Sequence, residues 1–127
     1  MADKRALKPK RLAEPVRYRS AGKWYSPQMY VVGWPDGIVK VGCTANGRTR
    51  WGKFLTRGAV LLDLAYFADI DDMNAELWLQ KQLDGMYPRA FKSKAESLPY
   101  LSDGCGYLEC YRIPASEWPA VVELARS

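Results

Sequence analysis

At 127 residues, with 48% apolar side chains including five Trp, eight Tyr and three Phe, the chain suffices for one domain with its own core and leaves little for a second. It contains no histidine, which excludes the Ser-His-Asp and Cys-His triads and leaves acid–base chemistry to Tyr, Lys, Asp, Glu or metal-bound water. Its formal charge is +5, and no apolar run approaches the ~18 residues that span a bilayer or forms the core of a secretory signal, so the expected location is the cytoplasm.

The charge is concentrated at the N-terminus. Residues 1–23 carry Lys4, Arg5, Lys8, Lys10, Arg11, Arg17, Arg19 and Lys23 against only Asp3 and Glu14, a net of +6, whereas the rest of the chain is nearly balanced. With few apolar residues and two prolines, this segment reads as a flexible basic tail (1–23) ahead of a folded domain (24–127). Such arms track phosphate backbones by releasing counterions. The tail residues, together with Arg48 and Lys53 further on, are the expected nucleic-acid contacts. A merely solubilising extension is the plainer alternative.

Met29 to Trp34 is rich in β-branched and aromatic residues and predicts a strand. Pro35-Asp36-Gly37 supplies a tight turn, and Ile38 to Cys43 predicts the returning strand of a hairpin. A glycine-containing loop over 44–47 precedes a short helix from about Thr49 to Thr56, with Trp51, Phe54 and Leu55 on its buried face and Gly58 as the stop. Val60 to Ala68 is apolar almost throughout, as a central strand would be. Asp71 or Asp72 is positioned to cap a helix running to about Gly85, whose face is Met73, Glu76, Leu79 and Leu83. Residues 87–103 suggest only a short helix ending near Pro99. Gly106 to Ile113 reads as extended, and Ser116 as the cap of a last helix with Trp118, Val121, Val122 and Leu124 inward. The implied class is α+β, a small three-stranded antiparallel sheet flanked by helices in the order β-β-α-β-α.

Four side chains in this layout carry chemical potential. Tyr30 is mid-strand, where a core aromatic is the ordinary fate. Lys40 faces away from Val39 and Val41, where a solvated lysine is ordinary. Arg50 opens a helix just after a glycine-bearing loop, a place suited to cradling a phosphate, or else a plain surface arginine. Glu76 sits within an apolar stripe, which is unfavourable without a cation or donor, and Mg2+ commonly uses only one or two protein carboxylates; a glutamate at the stripe's edge reaching solvent is the plain alternative. Cys43, Cys105 and Cys110 form no CxxC pair and no zinc ligand set; they read as reduced thiols.

The order of these residues resembles the GIY-YIG nucleases. Met29-Tyr30-Val31 and Val39-Lys40-Val41-Gly42 resemble the two half-motifs, with Tyr30 at the first Tyr and Gly42 at the Gly of the second. Arg50 stands at the family Arg, and Asp72 to Leu83 resembles the helix bearing the metal-binding Glu, here Glu76. Glu109-Cys110-Tyr111 resembles a Gly-Glu-aromatic piece of phage-type members, in which a Lys in place of the second Tyr, as at Lys40, is common. Gln80 stands where that branch often has His, the first half lacks Gly and Ile, and no Asn matches the family's late Asn. The resemblance implies a phage-encoded, Mg2+- or Mn2+-dependent DNA endonuclease or nickase, with Tyr30, Lys40 and Arg50 catalytic and Glu76 holding the metal. The alternative is a catalytically inactive module on the same fold that binds nucleic acid or a host protein.

Overall fold

The computed structural model describes residues 10–45, 48–68, 74–101, 104 and 106–127. Six strands and four helices follow one another in it: β1 (Tyr18–Ser20), β2 (Lys23–Tyr25), β3 (Gln28–Trp34), β4 (Ile38–Thr44), α1 (Arg48–Leu55), β5 (Val60–Tyr66), α2 (Asn74–Asp84), α3 (Lys94–Leu101), β6 (Cys110–Arg112) and α4 (Trp118–Arg126). The hairpin expected from the sequence is β3–β4, in the register Tyr30↔Gly42 and Val32↔Lys40. Its turn closes through Gly37, whose φ of 101° is a left-handed conformation that glycine adopts without strain, and whose N–H donates to the Trp34 carbonyl at 2.9 Å.

The main sheet is antiparallel but has four strands, in the order β5-β3-β4-β6, and not the three expected. The missed strand, β6, is only three residues long and pairs with β4 through Lys40↔Cys110, Val39↔Tyr111 and Ile38↔Arg112. The segment read as wholly extended from Gly106 begins instead with a 3-10 turn, Tyr107–Glu109. The apolar β5 lies at the sheet edge and is not central; its residues are apolar because helices cover both faces even there. A bulge at Leu62 shifts its register, so that Val31 pairs with Asp63 and Val32 with Leu61.

Alternation along β3 and β4 divides the core in two. Met29, Val31, Val39 and Val41 meet Leu79 and Leu83 of α2 and Val121 and Ala125 of α4. Tyr30, Val32, Trp34 and Ile38 meet Trp51 and Phe54 of α1 and Leu101 of α3. The sheet is thus the middle layer of three. Ala125, missing from the expected inward face of α4, is fully buried, while Val122 is only partly so. That helix begins at Trp118 after a 3-10 turn, and Ser116 lies inside the turn and caps nothing. Helix α3 continues past Pro99 to Leu101. The expected caps Asp71 and Asp72, together with Met73, Gly47, Cys105 and the tail residues Lys4, Arg5 and Lys8, lie outside the described residues.

Residues 10–23, expected as a free arm, are joined to the domain. The Leu12 N–H donates to the Tyr66 carbonyl at 2.9 Å, which adds a bridge to the β5 edge, and β1 pairs with β2 as a second small hairpin. Arg11 is an internal ion-pair partner: its guanidinium donates to both oxygens of the buried Asp63 at 2.9 and 3.2 Å. The group expected to contact nucleic acid is thus also held by a carboxylate on the domain's own edge strand. No helix among the described residues is long and apolar enough to cross a membrane.

Candidate active site

Tyr30 and Lys40 rise from neighbouring central strands onto the face covered by α1, and both are 1% exposed. Tyr30 lies across β4 at Gly42. A Cβ at that glycine would come within 2.2 Å of the phenol oxygen, so the ring occupies the space a side chain would fill. The glycine of the second half-motif therefore has a local physical reason: it lets the tyrosine cross the strand.

The Lys40 ammonium lies 5.6 Å from the Tyr30 ring centre and 5.8 Å from that of Phe54, within the range of cation–π attraction. It donates to Glu109 Oε2 at 2.8 Å. Glu109 is placed for this by the 3-10 turn ahead of β6, and Gly106 at the start of the turn leaves the room: a Cβ there would stand 2.7 Å from Lys40 Nζ. Arg50, in the first turn of α1, is exposed, and its charge and that of Lys40 both act on the Tyr30 hydroxyl.

Glu76 enters from the other layer. It sits in the first turn of α2, where the helix dipole favours an anion, and is 7% exposed. Its carboxylate accepts from the Gln80 amide at 2.9 Å, one helical turn on, and the Cys43 thiol of β4 interacts with it electrostatically. Glu109 acts on it as a second negative charge. All this gathers where β6 ceases to accompany β4 beyond Lys40.

The electrostatics follow from burial. Burial lifts the Tyr30 pKa above the ordinary phenol value although Lys40 and Arg50 pull it down, so the hydroxyl keeps its proton at neutral pH. Burial acts on Lys40 in the opposite sense, but Tyr30 and Glu109 outweigh it and hold its pKa above the usual lysine value. With the phenol neutral, Glu109 is the anion that keeps this ammonium charged inside the protein. Burial raises the Glu76 pKa, the Cys43 thiol and Lys40 act against the rise, and Glu109 adds to it. Both thiols are inert at neutral pH: burial pushes Cys43 well above its usual value and Cys110 up to about 12.

Of the expected site residues, Tyr30, Lys40 and Arg50 group about the phenol, from β3, β4 and α1, and Glu76, from α2 on the other face, is linked electrostatically to Lys40. Glu109, outside the expected site set although part of the quoted C-terminal piece, joins them; only its position after a glycine turn and before a strand hinted at it. Lys10, Arg17, Arg19, Lys23 and Lys53 are exposed. A hard divalent cation fits this donor set, since Mg2+ takes oxygen ligands, is satisfied by one or two carboxylates, and keeps several waters. Among the described residues no three His, Cys, Asp or Glu side chains gather as a closed metal cage. Compared with protein families, curated proteins and solved structures, the chain matches none of them.

Proposed function

We propose that the chain is a divalent-metal-dependent DNA endonuclease or nickase built on a GIY-YIG-like fold of the phage type. The observation that carries this reading is the grouping of Lys40 and Arg50 about the Tyr30 phenol, with Glu109 bonded to Lys40 and acting together with it on Glu76. Phosphodiester hydrolysis needs a positioned water, charge relief on the phosphate and help for the departing oxygen. Glu76 and Glu109 would hold Mg2+ or Mn2+, which supplies Lewis-acid stabilisation of the phosphate when bound. Arg50, the exposed guanidinium of the group, binds the non-bridging oxygens. The Tyr30 phenol keeps its proton beside the cations Lys40 and Arg50, and its hydroxyl is available to orient a water or the phosphate. The exposed basic residues near the N-terminus add affinity for the backbone.

A second reading, a non-catalytic module that binds nucleic acid or a host protein, draws on the protonated state of Tyr30, which is no base at neutral pH without further cationic help. Plasmid nicking with Mg2+ or Mn2+ against EDTA, wild type beside Glu76→Ala, separates the two. Metal-dependent nicking lost in the variant is expected. DNA binding with no nicking under either metal transfers the case to the second reading.

A further inference from the structure

Beside this site lies a cavity of about 600 Å³ that the chemistry above does not use. It is walled by Trp24 and Tyr25 of β2, Trp51 of α1 and Tyr66 of β5, with Arg17 at its rim. Its size falls within the range of small-molecule sites. The β1–β2 hairpin is built to hold this wall: Ala21 and Gly22 turn it with φ of 51° and 78°, and Tyr18 stacks on Tyr25 at 5.6 Å with 19° between the rings. Trp24 is left 63% exposed, an unusual position for the largest apolar side chain, with the Arg19 guanidinium 5.8 Å from its ring.

A second feature is independent of the aromatics. The Ser26 hydroxyl, on a residue lining the cavity, is the only buried side-chain polar atom among the described residues with no hydrogen-bond partner. A buried hydroxyl without a partner is unfavourable, so its retention fits a polar group delivered by a ligand.

We infer that this cavity receives an unpaired nucleobase of the DNA strand being cut, one nucleotide or so from the scissile phosphate. Flat aromatic walls stack any base, Arg17 at the rim meets an adjoining phosphate, and Ser26 meets a base-edge donor or acceptor. The placement rests on the nuclease reading and on continuity with that site. Gln28, which lines the cavity and accepts from Trp51 Nε1 at 3.4 Å, shares its strand face with Tyr30, and Thr49 and Trp51 flank Arg50. An apolar peptide would satisfy the rings but would offer nothing to Arg17 or to the Ser26 hydroxyl. The substrate class is therefore DNA with a single-stranded or unpaired nucleotide at the cut, in preference to uniform duplex.

The test uses the full chain in EDTA, which prevents cleavage. Binding is measured to a duplex oligonucleotide, to the same sequence as a single strand carrying 2-aminopurine, and to deoxyadenosine monophosphate. The expected result is 2-aminopurine quenching on the single strand, with the single-strand to duplex affinity ratio falling about tenfold in Trp24→Ala. Ser26→Ala should lower the same ratio without lowering the melting temperature. Ratios unchanged in both variants overturn the base site, and the nuclease reading stands if plasmid nicking persists. Trp24-dependent quenching in a protein that never nicks keeps the base site and removes the nuclease reading. Mononucleotide binding as tight as the oligonucleotide overturns a strand as the occupant, and failure to bind any DNA overturns both.

Discussion

Two buried carboxylates, Asp63 and Glu76, show how the same group serves different ends in one small protein. Asp63, on the edge strand β5, is 3% exposed and receives Arg11 on both oxygens and Arg126 Nε at 3.0 Å. Its charge is matched by guanidinium groups in bidentate geometry, and the ion pairs tie residues before β1 and the end of α4 to the sheet. Glu76 is nearly as buried, but its hydrogen-bond partner is the uncharged Gln80 amide, and another carboxylate, Glu109, acts on it. Lys40, the cation in reach, is already bonded to Glu109. A buried carboxylate completed by arginines is a structural tie; one left short of positive charge beside a second carboxylate is a place for a cation to bind.

The largest expected effect breaks the structural half of this contrast. Replacing Arg11 and Arg126 together by Ala leaves Asp63 buried without a cation and should cost about 3–5 kcal/mol in chemical denaturation. A loss below about 1 kcal/mol would show that Asp63 needs no such partners. Next, Glu76→Gln should reduce metal-dependent nicking a hundredfold or more, since an ion's charge relief is worth several kcal/mol, while the metal-free protein stays at least as stable. A variant that nicks normally would place Glu76 with Asp63 as a structural group.

Gly42→Ala touches neither carboxylate but forces a Cβ to within 2.2 Å of the Tyr30 hydroxyl. It should cost about 1–3 kcal/mol and depress nicking with it, by displacing the phenol. Retention of both, measured by melting and by nicking, would mean that Tyr30 has room to move without consequence.

The smallest effect is a dependence on pH. Because the Glu76 pKa is higher in the folded protein than unfolded, its proton favours the folded state, and that contribution is lost as pH rises from the ordinary carboxylate range through the raised value. Melting temperatures of wild type and Glu76→Gln should therefore converge near pH 4 and separate toward pH 8, with the variant higher. Mg2+ should close the gap by stabilising wild type alone, about 1.4 kcal/mol at ten times its dissociation constant.

Local pattern was enough to place the β3–β4 hairpin and the inward faces of α1 and α2, because alternation, helical spacing and turn glycines act over a few residues. Glu76 stood out in the sequence for the same reason: a carboxylate interrupting an apolar stripe is a local anomaly. What sequence alone left open is all long-range. The fourth strand has three residues and exists only because β4 offers it an edge. Val60 to Tyr66 is apolar enough for a central strand, and only the packing of helices on both faces explains its edge position. Arg11 looked like one more basic residue of a tail until the fold placed Asp63, 52 positions away, beneath it. Glu109, likewise, gained a partner only when β6 paired with β4 and brought it to Lys40, 69 positions back. Side-chain periodicity reports which face of an element is buried; which charges meet there depends on how the elements pair, and that is a property of the tertiary structure.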